Sequence, residues 1–75
     1  MKNMSEHTYQ VSEIVGTSPE GVDVAIRNGI SRASQTVRNL DWFEVGQIRG
    51  EIVGGQVAHW QVHLKVGFRL DAPQS

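Results

Sequence analysis

A long run of alternating apolar and polar residues near the end of the chain restricts the possible folds more than any other feature. The apolar positions are Trp60, Val62, Leu64, Val66, Phe68 and Leu70. The polar positions among them are His59, Gln61, His63, Lys65 and Arg69. Because successive side chains of a strand point to opposite faces of its sheet, the run predicts one strand with a buried face and a polar face.

The preceding stretch, 41–53, is also rich in strand-forming residues, and Gly54–Gly55 joins it to the last strand, which predicts a β-hairpin. A bare two-residue loop would place apolar residues of one strand opposite polar residues of the other. We therefore expect a three-residue loop containing glycine, which pairs Val53 with Val57. In that register Arg49 lies directly across from Gln61.

The apolar pattern of this stretch changes phase on moving away from the turn. Ile48, Gly50 and Ile52 are even-numbered, whereas the apolar Phe43 and Val45 are odd-numbered. A β-bulge at Gly46–Gln47 explains such a change, because one extra residue reverses the direction of every side chain beyond it. With this bulge Phe43 and Val45 face the core, and Trp42 and Glu44 join the polar face.

The first half of the chain predicts a strand followed by a helix. Residues 9–15, YQVSEIV, are rich in strand formers, and Gly16 is expected to end that strand. Ser18 followed by Pro19 has the pattern of a helix N-cap with proline at the first helical position.

The predicted helix runs to about Arg38, and Asn39 is its expected stop signal. Its apolar positions, at steps of three and four, are Val22, Ile26, Ile30 (or Gly29), Ala33 and Val37. Gly29 is unfavourable inside a helix by ~1 kcal/mol relative to alanine, which suggests that another element packs closely there. We therefore predict an α+β fold with the order β-α-β-β.

The length of 75 residues predicts a single domain, 1–75, with an ordered core at about 8–71 and flexible tails at 1–6 and 72–75. A core this small is marginal, and the chain has no cysteine for a disulfide or a thiolate metal site, so oligomerisation or a ligand must add burial. The net charge of -1, with no block of like charge, is not typical of nucleic-acid binding, and the apolar runs are far too short to span a membrane. We find no apolar signal segment and predict a cytoplasmic protein.

Trp42 is the strongest candidate binding residue, since an exposed indole beside Gln61, Arg49 and Arg69 suits a planar heteroaromatic ligand with an anionic tail. The alternative is that Trp42 is an oligomer-contact residue. Both roles are compatible if the ligand lies at a subunit boundary.

The other polar residues indicate no catalysis and no metal site within one subunit. His59 and His63 share a face, but four strand residues place them ~13 Å apart, so only copies related by a symmetry axis would meet at one metal. The chain has no nucleophile elbow, paired-carboxylate motif or glycine-rich phosphate loop, so we predict that it is not an enzyme.

The helix arginines are Arg27, Arg32 and Arg38. They are typical of a solvated helix face. Alternatively, Arg32 and Thr36, one turn apart, hold a phosphate of a second ligand.

Three segments carry a family resemblance: EIVGTSP at 13–19, RNLDWFEVGQIRGEI at 38–52 and HWQVHLKVGFRL at 59–70. Together they resemble the dodecins, small flavin-binding proteins, over about Tyr9 to Asp71. The resemblance implies a β-α-β-β subunit whose three-stranded antiparallel sheet wraps partly around one helix. It also implies a hollow homododecamer.

The resemblance further implies that two flavins, most often flavin mononucleotide (FMN), stack between two copies of Trp42 while Gln61 hydrogen-bonds the isoalloxazine edge. Arg49 and Arg69 match the cationic partners of the phosphate, and Asp41 completes the expected flavin-binding residues. Arg32 and Thr36 are the weaker candidates for coenzyme A.

The implied function is storage and buffering of flavin with quenching of its photochemistry. The alternatives are a self-assembling structural shell or interaction protein without flavin, and a coenzyme A binder. A flavoenzyme would need a substrate pocket beside the isoalloxazine, for which a ring stacked between Trp42 and another flavin leaves little room.

Overall fold

The helix and the strands occur in the predicted order. The computed structural model describes residues 7–71, in which β1 (Tyr9–Ser18) is followed by α1 (Val22–Ser34), β2 (Leu40–Val53) and β3 (Gln56–Arg69). The strands form one antiparallel sheet in the order β1-β3-β2, so the α+β prediction is confirmed. The predicted flexible tails, 1–6 and 72–75, lie outside the described residues.

The core lies between α1 and the face of β3 that the alternating pattern marks as apolar. Val62 and Leu64 of β3 are fully buried together with Ala25 of the helix. Trp60 is partly buried and packs against this cluster, as its position in the alternation predicts. Ala25 was not part of the predicted apolar stripe, in which its neighbour Ile26 is the core-facing residue of that turn.

Two glycines bring α1 and β1 into close contact. A Cβ on Gly16 would overlap the carbonyl oxygen of Ala25, and one on Gly29 would lie 3.2 Å from the Gly16 Cα and 3.2 Å from Leu64 Cδ1. The close packing predicted at Gly29 is therefore confirmed. The helix lies against β1 because neither glycine has a side chain to separate the two backbones.

The predicted boundary between β1 and α1 is wrong on both sides. Gly16 does not end β1, because pairing with β3 continues to Ser18, which lies opposite Trp60. Ser18 is consequently not the N-cap, a position that Gly21 occupies without a side-chain hydrogen bond. The buried Ser18 hydroxyl instead accepts a hydrogen bond of 2.9 Å from the backbone N–H of Glu20, closing a short turn.

The helix also ends four residues earlier than predicted, at Ser34. Turn hydrogen bonds follow, including one of 2.9 Å from the Val37 N–H to the Ala33 carbonyl. Asn39 has a φ of 65° and begins the approach to β2, so it reverses the chain without ending the helix. No helix in the described part of the chain has both the length and the apolar character needed to cross a membrane.

The hairpin has a two-residue loop, so the predicted three-residue loop is wrong. Val53 pairs with Gln56, and Gly54 and Gly55 form the turn with φ of 60° and 78°, as a two-residue turn with two left-handed positions requires. The register then shifts between Glu51 and Ile52, because Ala58 of β3 is an extra residue.

The shift at Ala58 restores the predicted pairing of Arg49 with Gln61. The predicted bulge in β2 is also confirmed. Val45 pairs with Leu64 and Ile48 with Val62, so Gly46 and Gln47 together oppose one residue of β3.

β2 extends past the helix and leaves apolar side chains uncovered. The radius of gyration is 15.9 Å, against about 11 Å for a compact domain of this size. We call three of these residues the β2 apolar row: Phe43, Val45 and Ile48. They lie opposite buried residues of β3 and so face the core side of the sheet, as predicted. They are nevertheless 39–49% exposed, because α1 packs on β1 and β3. Such a row is typical of a surface that contacts another chain.

The glycine contact predicts the effect of a single methyl group. Replacing Gly16 by alanine should lower the free energy of unfolding by about 1–3 kcal/mol, because the helix must move away from β1. Urea denaturation followed by circular dichroism measures the change. Gly21→Ala is the matched control, since its new methyl would meet only the movable Asp23 Oδ1, at 3.2 Å. Equal losses in both variants would contradict this account of the packing.

Candidate functional site

Trp42 lies on the outer face of the sheet, opposite to the face that carries the helix. It pairs with Gly67, whereas Phe43 pairs with the buried Val66. Adjacent aromatics therefore point to opposite sides, as the sequence predicts. Trp42 is 43% exposed, so part of its indole is accessible from solvent.

A second bulge, which we did not predict, occurs next to Trp42. Leu40 pairs with Phe68 and Trp42 with Gly67, so Asp41 is an extra residue in β2. On a regular strand Leu40 and Trp42 would share a face. The bulge allows Leu40 to face the core side while Trp42 faces outward.

Asp41 is held across the sheet by a residue that sequence reasoning missed. The Tyr9 hydroxyl, on β1, donates a hydrogen bond of 3.0 Å to Asp41 Oδ2. This bond raises the pKa of the Tyr9 phenol above its ordinary value, with smaller contributions from desolvation and from the Asp41 charge. Asp41 was predicted as a flavin-binding residue; its observed partner is Tyr9, and the bond restrains the bulge that precedes Trp42.

Gly67 supports Trp42 from below and is the second residue that the sequence reasoning missed. Gly67 is buried, and a Cβ placed on it would overlap Cε2 and Cζ2 of the Trp42 indole. The middle of the ring system therefore lies over the Gly67 backbone. The available signal was a glycine interrupting the alternation in KVGFRL.

Gln61 and Arg49 form a hydrogen-bonded pair on the same outer face. They lie opposite each other in the ladder, and Arg49 Nε donates to Gln61 Oε1 at 3.0 Å. Accepting this bond fixes the plane of the Gln61 amide and leaves its nitrogen as the donor toward a ligand. Gln61 is partly buried and Arg49 is exposed.

The predicted proximity of Trp42 to Gln61 is wrong within one chain. Trp42 lies beside Gly67, six β3 residues from Gln61, which corresponds to ~20 Å at about 3.3 Å per residue. Arg69 is two residues from Gly67 and therefore lies toward Trp42, while Arg49 lies with Gln61. One ligand ring can contact both Trp42 and Gln61 only if these come from different copies of the chain.

Arg69 lies where three chain segments meet. Its backbone N–H donates to the Asn39 carbonyl at 3.1 Å, and Asn39 Nδ2 donates to the Arg69 carbonyl at 3.0 Å. Asn39 Nδ2 also bonds Asp71 Oδ1 at 3.0 Å, and Arg38 is 3.4 Å from Asp71 Oδ2. These bonds fix the backbone of Arg69 and leave its side chain exposed.

Arg32 and Thr36, the candidates for coenzyme A, do not both line the cavity that lies beside Arg38 and Arg69. Thr36 lines an open cavity of about 360 Å³ together with Arg38 and Arg69, and Arg32 is not among its lining residues. Arg32 is exposed on the last turn of the helix. Their joint role in coenzyme A binding stays a prediction.

The histidines of β3 are paired with carboxylates. His59 Nδ1 is 3.2 Å from Glu51 Oε1, and His63 Nε2 is 3.2 Å from Glu13 Oε1. Across residues 7–71, no group of three or more acidic, histidine or cysteine side chains is arranged to hold a metal ion.

Fold and site together define a small α+β protein with an aromatic surface on the outer face of its sheet. A family model described as Dodecin matches residues 8–71. Dodecin of Thermus thermophilus is 52% identical over 63 residues, which cover 84% of this chain and 91% of that protein.

Solved structures give the same result. A dodecin from Streptomyces davaonensis has 72% identity and a TM-score of 0.87, covering 91% of this chain and 100% of that one. A dodecin from Streptomyces coelicolor has 68% identity and a TM-score of 0.88, covering 93% and 100%. The chain belongs to the dodecin family.

The hydrogen bond between Tyr9 and Asp41 predicts a measurable titration. Tyr9 is the only tyrosine of the chain, so tyrosinate absorbance reports it alone. Asp41→Asn should lower the pKa of Tyr9 toward the ordinary value of 10.0, because the carboxylate that favours the neutral phenol is gone. Because the pKa of Tyr9 is higher in the folded protein, its bond to Asp41 stabilises the fold at every pH below the ordinary pKa of tyrosine. This stabilisation is lost as the pH rises through the pKa of Tyr9 in the folded protein.

Glu44→Gln is the control for the Tyr9 titration. It removes a carboxylate from the same outer face without removing a partner of Tyr9. An identical titration of Tyr9 in wild type and Asp41→Asn would show that the bond does not form in solution.

Proposed function

We propose that this protein binds flavin, in the form of FMN, and stores it in the cytosol without catalysing a reaction. The observation that carries the proposal is the Trp42 indole, which rests on Gly67 and is 43% exposed on an outer face that also presents arginine. An aromatic ring supported from one side offers its other side for stacking on a flat ligand. Family membership supports the same conclusion.

The pocket is proposed to form between copies of the chain. Trp42 and Gln61 lie ~20 Å apart in one subunit by strand spacing, so a ring that touches both needs two subunits. The uncovered β2 apolar row supplies a reason for the copies to associate, and membership of the dodecin family supports oligomeric assembly. We propose the hollow homododecamer that the family resemblance implies, with two flavins stacked between two copies of Trp42.

Four of the predicted flavin-binding residues have a chemical role in this proposal. Trp42 stacks on the isoalloxazine. The Gln61 amide, oriented by Arg49, hydrogen-bonds the polar edge of that ring through its nitrogen. Arg69, and Arg49 through the guanidinium nitrogens that do not contact Gln61, attract the phosphate.

Flavin supplies a chromophore that absorbs visible light and accepts an electron when excited. Trp42 would be the nearby electron donor to such a flavin, and reversible donation of one electron by its indole would end the excitation without net reaction. Storage and protection therefore require the same contact.

The competing proposal is a structural shell in which Trp42 only closes an interface, favoured by the β2 apolar row.

Substituting Trp42 distinguishes flavin binding from a purely structural shell. Trp42→Ala should weaken FMN binding by at least the ~0.5–1.5 kcal/mol of one aromatic pair, and by more if both copies in a pocket contribute. Quenching of FMN fluorescence measures affinity, and native mass spectrometry measures assembly. We expect the assembly to persist, because the β2 apolar row is unchanged.

Phe43→Ala is the matched control, since it removes the neighbouring aromatic from the opposite face. It should weaken assembly more than Trp42→Ala does. Unchanged quenching in Trp42→Ala would contradict flavin binding at this residue. A colourless wild-type protein that does not quench added FMN would favour the shell.

A further inference from the structure

Gly67 lies in β3, and its lack of a side chain leaves the space that the Trp42 indole occupies. A Cβ on Gly67 would overlap Cε2 and Cζ2 of Trp42 and lie 2.7 Å from Cδ2. These atoms surround the fusion of the two indole rings. The indole therefore occupies the volume that any other residue at this position would fill.

We propose that Gly67 is a positioning residue for ligand stacking, because it lets the Trp42 indole lie directly on the sheet. The link to flavin rests on the proposed function, whereas the contact between Gly67 and the Trp42 indole does not depend on it. The ligand that depends on the contact is a planar heteroaromatic ring stacked on the free side of the indole.

Backbone conformation does not explain the glycine. Among the described residues, the glycines with positive φ are Gly54 and Gly55, so Gly67 has a backbone that any L-residue adopts. Glycine is also unfavourable inside a strand, where it costs roughly 0.5–1 kcal/mol relative to alanine. Space above the backbone is therefore the property that distinguishes glycine here.

The residues around Gly67 limit where a displaced indole could go. Val11 pairs with Gly67 from β1, and Lys65 and Arg69 flank it along β3 on the same outer face. Val11 is 47% exposed, so the outer face beside Gly67 is open to solvent on that side. A methyl group at position 67 must lift or turn the indole outward.

A displaced indole loses its support and its orientation. In the observed arrangement the backbone of Gly67 covers one side of the ring, and the tilt of the free side is fixed by the sheet. Aromatic pairs depend on offset and tilt, so a ligand stacked on a turned indole gains less. Gly67 thus acts on the ligand through Trp42 without touching it.

A double-mutant cycle between Gly67 and Trp42 tests the inference on the assembled protein. Gly67→Ala, Trp42→Ala and the double variant are compared with wild type by urea denaturation, native mass spectrometry and titration with FMN. Gly67→Ala should weaken FMN binding about tenfold, near the upper limit for one aromatic pair. It should also lower the urea midpoint when Trp42 is present.

In the Trp42→Ala background the same substitution should leave the urea midpoint unchanged or raise it, since the overlap is gone and alanine restricts the unfolded chain. A residue with a general structural role would instead lower the midpoint equally in both backgrounds, which would overturn the inference. If Gly67→Ala fails to assemble, recovery in the double variant supports the contact, and absence of recovery overturns it.

The two proposals fail in different ways. Wild-type affinity for FMN in the Gly67→Ala protein would overturn the positioning role and leave flavin binding intact. If the wild-type protein binds no FMN, the proposed function is wrong, and the midpoints of the cycle alone decide whether Gly67 supports Trp42.

Discussion

The pairing of β2 with β3 decides which side chains a ligand can reach, because each extra residue in one strand reverses every side chain beyond it. β3 has one face buried under the helix and therefore has little freedom. β2 carries two extra positions relative to β3, at Gly46–Gln47 and at Asp41. Between them Phe43 faces the core side and Trp42 faces outward. The exposed indole is thus a result of strand register, with the bulges as its local cause.

The segment before Trp42 is restrained by the other two strands of the sheet. Tyr9 on β1 bonds Asp41, and Asn39 bonds the backbone of Arg69 on β3. Asn39 adopts its left-handed φ of 65° where the chain turns into β2, a conformation that asparagine tolerates better than most residues. Gly67 then supports the indole itself. A bulged strand start is intrinsically irregular, and these side-chain bonds give it one conformation.

Much of this arrangement follows from the sequence, and the failures have identifiable physical causes. The alternation in β3 predicts the core, and the phase change predicts the bulge at Gly46–Gln47, because burial of one face fixes the register. The turn was misjudged because two loop lengths reach the same pairing of Arg49 with Gln61, one of them through an extra Ala58. Ser18 was misjudged because a serine before proline suits both a helix cap and a strand end, and tertiary pairing with Trp60 decides between them.

The site was less predictable than the fold because its residues interact across strands. A Tyr9–Asp41 bond spans 32 positions of sequence, and no local pattern indicates it. The distance between Trp42 and Gln61 also needed the full register, since sharing a face does not mean being close.

That distance has a consequence for the assembly. In the proposed pocket the two residues come from different copies, so ligand binds the assembled state and not the free subunit. Binding then stabilises the assembly by mass action, by about 2.7 kcal/mol per site when free ligand is a hundredfold above its Kd. The β2 apolar row and the stacked ligand would thus favour the same state. Both would bury additional apolar surface of the subunit. They would therefore supply the burial that a core of this length lacks.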